Sequence, residues 1–216
     1  MLYLKKRRLT SIEIAEANYQ QEPVDVQGKL YTILKTYTEL PRDENGRLLY
    51  DRIINYTDTA DTGKDFLCSI NALEYNGEAY LLSVLYSDEP MAVTEPLLAK
   101  MLYDDNVDTA YIESNSGGGA FARNVERLIW EKYRTRKIVI CPFYQSKNKQ
   151  ARILSNASYV MSHIYFPVNW NNRWIEFYKA LMIFKAKGRN KHDDAPDGLT
   201  GIAENIGEGA EIEFLM

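Results

Sequence analysis

The chain has 216 residues, 45% of them hydrophobic, enough for a single domain with a sizeable core. Its formal charge of −4 excludes a globally basic nucleic-acid binder, although a local basic track can hide in the total. No apolar run approaches the roughly 18 residues that span a bilayer, and Met1-Leu-Tyr-Leu-Lys-Lys-Arg-Arg lacks the apolar core of a signal peptide. Cys68 and Cys141 each sit inside an apolar run, which fits small buried side chains in a reducing compartment. A soluble, intracellular protein is expected.

Residues 1–30 do not pattern as the start of a packed fold. Within them 10–18 reads as a short helix, the basic quartet 5–8 as a solvated run or a phosphate contact, and 19–31 as extended. The expected division is an arm at 1–30, a domain at 31–207 and a tail at 208–216. Pro41-Arg-Asp-Glu-Asn-Gly46 is a loop. A strand over about 51–58 follows, and alternation puts Ile54, Tyr56 and Asp58 on one face. Two more strands, about 66–74 and 79–86, flank Tyr75-Asn76-Gly77-Glu78, a hairpin signal. Thr94 is predicted to cap a helix whose Leu97, Leu98, Met101 and Leu102 share a face. Next come a short strand at 109–113, the connection through Gly117-Gly118-Gly119, and a helix with Phe121, Val125, Leu128 and Ile129 inward. Residues 137–142 read as a buried strand and 147–156 as a helix. Residues 159–167 read as extended, and 171–186 as a helix with Trp174, Phe177, Tyr178 and Leu181 along its apolar side. The last helix starts near Asp193 with Ala195, Leu199, Ile202 and Ala203 inward, and Pro196 is tolerated in its first turn.

The order β-β-β-α-β-α-β with a closing helix predicts an α/β fold with a mixed sheet of five or more strands, flanked by helices. Three antiparallel strands come first and parallel ones extend them. That is the ribonuclease H-like order. It brings Asp58 beside Glu113 at one edge of the sheet, with the acids of the last helix over them.

Asp is a costly end to an apolar strand unless a cation meets it. Carboxylates a few Å apart raise one another's pKa, so three or four at one point imply a bound cation. All-oxygen ligation points to Mg²⁺ or Mn²⁺, two per site, and to two-metal phosphodiester hydrolysis. Asp58 takes the bridging role, Glu113 a ligand role, and Asp194 or Asp197, which share a helix face, the remaining position. Asp193 is a third candidate for that position, with an N-cap as its alternative job. The competing readings are local: Asp58, Asp61 and Asp65 as turn residues, Glu113 paired with an arginine, and Asp193-Asp194 as a helix cap. His192 either orients a water or phosphate or merely precedes the cap, and His163 reads as structural. Gly63-Lys64 is not a phosphate-binding loop, because positions 58 and 65 are Asp where Gly and Ser or Thr are required. Ala60, Thr62 and Ser69 likewise rule out a calcium loop counted from Asp58. Nucleic-acid contacts are expected from Lys147, Lys149 and Arg152, and from Lys187, Arg189 and Lys191 just upstream of the acidic helix.

Four short motifs, in order, resemble the C-terminal nuclease domain of phage large terminase subunits over roughly 18–206. They are Tyr19-Gln-Gln-Glu-Pro23 followed by Gly28-Lys-Leu-Tyr31, Asp58-Thr-Ala-Asp-Thr-Gly63-Lys-Asp65, Ile112-Glu113-Ser-Asn115 leading to Gly117-Gly118, and His192-Asp193-Asp194-Ala-Pro-Asp197-Gly-Leu199. The resemblance implies Mg²⁺- or Mn²⁺-dependent cutting of double-stranded concatemeric phage DNA in the bacterial host cytoplasm. It carries the family's acidic triad onto Asp58, Glu113 and the Asp194/Asp197 pair, with Asp65 a further acid. In a full-length member the partners are an ATPase domain, the small terminase subunit and the portal. No phosphate-binding loop occurs here, so the chain reads as a nuclease fragment without the ATPase domain. Gly198 stands where the family commonly has Ala, which weakens that helix slightly. The alternatives are another ribonuclease H-like nuclease, such as a resolvase, an actin-like phosphotransferase, or a non-catalytic packaging-interaction module.

Overall fold

The structure, a computed structural model, describes residues 28–59, 66–115 and 118–206. Asn76 and Gly77 both have positive φ, 51° and 73°, the backbone that a two-residue hairpin turn needs to match strand twist. This turn joins β3 (Leu67–Tyr75) to β4 (Glu78–Ser87), and β2 (Arg52–Asp58) pairs antiparallel with β3 on its other side. β5 (Thr109–Glu113) and β6 (Val139–Phe143) extend the sheet from β2 in parallel. On the far edge β7 (Ile164–Pro167) and the three-residue β1 (Lys35–Tyr37) add to β4, giving the seven-stranded order β1-β7-β4-β3-β2-β5-β6. The mixed, ribonuclease H-like sheet is therefore as expected.

Side-chain alternation on the central strands makes two cores. Ile53, Leu67 and Leu73 face α1 (Met91–Asp104) and α2 (Gly118–Tyr133). Ile54, Tyr56, Cys68 and Ile70 face the other layer, built from α3 (Lys149–His163), α4 (Trp170–Arg173), α5 (Ile175–Ile183) and α6 (Asp194–Glu204). On the α1/α2 side four buried polar residues satisfy one another. The Asn55 amide donates to Ser69 and Asn71, Thr57 donates to Asn55, and Asn71 donates to Asp105 at the end of α1. Such a fully paired ladder avoids the cost of burying those groups and ties the strand carrying Asp58 to its neighbour.

Several elements depart from expectation. Helix α1 starts four residues earlier, with Pro90 at the cap position, so Thr94 is buried within it and caps nothing, while Leu97 is 45% exposed. β6 is an edge strand rather than a buried one, since β5 is its single partner among the described residues, and Val139 is 54% exposed. Residues 159–163 are helical: α3 runs on to His163, whose ring stacks on Tyr159 one turn back, and β7 begins only at Ile164. The 171–186 helix is two helices meeting at Trp174. β1 was not anticipated, being short and without alternation. The expected helix at 10–18, the basic quartet 5–8 and the tail lie outside the described residues. Among the described residues no helix is long and apolar enough to cross a membrane.

Two glycines set how closely α6 lies on the sheet. A Cβ at Gly198 would meet Cys68 Sγ at 2.6 Å, and one at Gly201 would meet the Tyr56 ring at 2.2 Å. Gly198 is thus a contact surface for Cys68 rather than only a weak point in the helix. The Tyr56 ring cannot yield easily, because its hydroxyl is held in the site described below. Gly201→Ala is expected to cost about 1–3 kcal/mol through overpacking, more than the roughly 1 kcal/mol that Ala gains as a helix former. The urea midpoint measures this, and an unchanged midpoint would mean that α6 is free to ride outward.

Candidate metal centre

β2 and β5 are parallel neighbours in a register that pairs Thr57 with Ile112, so Asp58 and Glu113 end their strands side by side. α6 begins over the same edge, with Asp194 and Asp197 in its first turn. All four acids are buried, at 5–6% exposure for three of them and 1% for Asp197. Asp58, Glu113 and Asp197 each offer a carboxylate oxygen, and these atoms lie within 4.8 Å of one another.

Among the described residues, two cations hold this cluster together, both from α3. Lys149 Nζ lies 2.8 Å from Asp58, 3.1 Å from Asp193, 3.4 Å from Asp194 and 3.7 Å from Asp197. Arg152, 3% exposed, donates to Asp197 Oδ1 at 2.9 Å, to Glu204 at 2.8 Å and to the Tyr56 hydroxyl at 3.1 Å. Tyr56 in turn donates to Glu113 Oε1 at 2.5 Å. Arg152 and Tyr56 thereby engage one oxygen each of Asp197 and Glu113, which orients the two carboxylates. Asn115 and Gln145 exchange hydrogen bonds at the rim, where they and Lys147 line a cleft of about 260 Å³ over the acids.

Burial pushes the Asp58 carboxyl up to about 8; Lys149 pulls it down and the Asp197 and Glu113 charges push it up again. Asp197 is pushed up to about 7 by burial, against the pull of Lys149 and Arg152. Asp194 is raised as well, burial again leading. For Lys149 burial alone would favour the neutral amine, but Asp58, Asp197 and Asp193 outweigh it and the pKa rises. The donor set therefore fits a hard divalent cation: buried oxygen ligands, crowded negative charge, and an ammonium already drawn among them.

A pH dependence follows. In the fold Asp58 and Asp197 hold protons up to about 8 and 7, whereas their ordinary value is 3.8. The native state thus binds more protons across that window, and unfolding free energy falls as pH rises from about 4 to 8. Melting in EDTA at pH 5, 6.5 and 8 should show this contribution, flattened in Asp58→Asn. Mn²⁺ affinity should rise over the same window, since ligation needs the unprotonated carboxylates.

The other predicted residues are distributed differently. Asp193 stands at the N-cap position of α6 but makes no side-chain cap bond, its carboxylate meeting Lys149 instead. Asp61 and Asp65 lie outside the described residues. Lys147 is on the rim, whereas Lys187, Arg189 and Lys191 are exposed on the loop before α6 and do not line the cleft. Arg152, expected as a nucleic-acid contact, is placed as a buried guanidinium that donates to two carboxylates and a phenol. His192 packs edge-on against Phe66, with ring centroids 5.2 Å apart. His163 bonds Ser162 far along α3, consistent with a structural place. Tyr56 and Glu204 were not anticipated. A tyrosine two residues before a strand-ending Asp, on the same face, was the available signal for the first.

Fold and cluster together define a ribonuclease H-like domain with a candidate metal centre at the meeting of β2, β5 and α6. No family model matches this sequence, and neither does any curated protein. Among solved structures, the chain superposes on the large terminase subunit of bacteriophage Sf6 with calcium at a TM-score of 0.53 and 11% identity, over 74% of this chain and 91% of that one. The Sf6 nuclease domain with manganese gives 0.51 and 10% over 74% and 91%. The large terminase of a thermophilic bacteriophage gives 0.52 and 11%, over 82% of this chain and 45% of that one, so this chain spans less than half of that protein. At these identities the likeness is one of fold. The resemblance read from the short motifs is matched at that level.

Proposed function

We propose that the domain is a metal-dependent endonuclease that hydrolyses double-stranded DNA, cutting concatemeric phage DNA during genome packaging in the bacterial host cytoplasm. The observation that carries this is the convergence of Asp58, Glu113 and Asp197 on one point inside a fold otherwise seen in terminase nuclease domains. Asp58 would bridge two Mg²⁺ or Mn²⁺ ions, with Glu113 and Asp197 as further ligands and Asp194 beside them. When bound, the ions supply a Lewis acid at the scissile phosphate and an activated water. Arg152 and Tyr56 keep Asp197 and Glu113 aimed. Lys149 neutralises the acids of the metal-free protein and, once relieved of that duty, is available to a phosphate oxygen. Lys147 on the rim meets the DNA backbone. The unit at 31–207 would carry this activity, with an ATPase domain, the small subunit and the portal as partners in a full-length protein.

The test is plasmid digestion: relaxed and linear products are expected in Mn²⁺ or Mg²⁺ and none in EDTA. One observation favours a second reading, a non-catalytic module. Lys149 contacts four carboxylates and serves there as a cation already. That reading predicts no Mn²⁺ binding by calorimetry and no cutting in any metal.

A further inference from the structure

We propose a second DNA-contacting surface, a basic cleft between α2 and β6, distinct from the acidic cleft. The inference rests on the nuclease reading for its ligand. Residues 123–137 carry six basic side chains and two acidic ones, in a chain whose net charge is −4. All six, Arg123, Arg127, Lys132, Arg134, Arg136 and Lys137, are exposed. Arg123, Arg127 and Arg136 line a cleft of about 440 Å³ whose apolar floor includes Trp130 and Ile138.

The arginines are arranged rather than scattered. The Arg136 guanidinium lies 4.7 Å from the centroid of the Trp130 ring and that of Arg134 lies 5.9 Å from it. Stacking of this kind orders the guanidinium plane while leaving its N–H groups for an anion. Arg134, directly after α2, has a φ of 53°, a left-handed conformation that glycine adopts at less cost. An arginine at that position puts a cation beside Trp130 in exchange for some backbone strain, a pattern found at binding sites.

Geometry and charge select the occupant. β6 joins the two clefts: its N-terminal side borders the basic one, and the residues after it, Gln145 and Lys147, line the acidic one. From Val139 to Gln145 an extended chain covers about 20 Å. Duplex DNA carries one negative charge per about 1.7 Å of axis, so a helix lying over the metal centre presents phosphates at that distance. The arginines would grip the backbone without reading sequence.

The test is fluorescence anisotropy with a 30-base-pair duplex in EDTA, comparing wild type, Arg123→Glu/Arg136→Glu, and Lys179→Glu as an exposed charge reversal on α5. The double variant is expected to bind about tenfold to hundredfold more weakly, with a salt slope smaller by about two. Its Mn²⁺ binding by calorimetry should be unchanged, and Lys179→Glu should bind as wild type. Wild-type affinity and slope in the double variant would overturn the proposal and leave the cleft to another partner, such as an acidic protein segment. If DNA binding depends on the arginines but no metal supports cutting, the nuclease reading fails and the surface stands. If plasmid is cut and the double variant binds normally, the reverse holds.

Discussion

Asp58→Asn is expected to lose DNA cleavage by about 10³-fold or more while the metal-free protein at pH 8 melts no lower than wild type. The first half follows from position. Asp58 is the strand-ending acid that reaches both Glu113 and Asp197, so its loss removes charge stabilisation of several kcal/mol from the reaction, at 1.36 kcal/mol per tenfold. The second half follows from the raised pKa: burial disfavours the Asp58 carboxylate, which titrates only near about 8, so a neutral amide of the same shape removes a burden. Lys149 would lose its 2.8 Å partner but keep Asp193, Asp194 and Asp197. Single-turnover cleavage in Mn²⁺ and thermal melting in EDTA measure the two halves. Retained cleavage would remove Asp58 from the site. A protein that unfolds at pH 8 would instead make Asp58 a structural partner of Lys149.

What the sequence could show depended on whether the chemistry lay along the chain or across it. Asn76-Gly77 specifies its turn locally, and the three strands around it followed. Asp58 and Glu113 were legible because each ends a run of apolar residues, and strand order alone makes the ends neighbours. Asp194 and Asp197 could not be separated, since both belong to one helix face. The structure separates them through contacts no pattern encodes: Asp197 receives Arg152 and joins the cluster, whereas Asp194 accepts from Lys149 and, at 3.4 Å, from the Phe66 amide. Lys149 and Arg152 looked like surface charges. Yet with Ile153, Ala157 and Val160 they fall at i, i+3, i+4, i+8 and i+11, on the stripe that faces the core. A charge on an apolar stripe, opposite unpaired acids, was the overlooked signal. Gly198 was misleading for a similar reason, because its use is the approach of Cys68, a residue on another strand.

Arg152→Ala is expected to destabilise the domain by about 3–5 kcal/mol, the usual consequence of removing one member of a buried ion network. At 3% exposure Arg152 is the shared donor for Asp197, Glu204 and the Tyr56 hydroxyl, and no other described residue donates a side-chain hydrogen bond to Asp197. Without it Asp197, 1% exposed, sits beside Asp58 and Glu113 with Lys149 alone among the described residues to offset the charge, and its already raised pKa moves further up. For a domain of this size the loss corresponds to about 10 °C or more in melting midpoint. Two comparisons separate positioning from mere bulk. Glu204→Gln removes a partly exposed acceptor and should cost much less, and the double variant should show coupling of the two changes rather than their sum. Arg152→Lys keeps the charge but cannot span Asp197, Tyr56 and Glu204 together, so it should fold better than the alanine variant yet bind Mn²⁺ more weakly than wild type. If the lysine variant binds Mn²⁺ as wild type does, the forked geometry is irrelevant to the acids, and Arg152 stabilises the fold through charge alone.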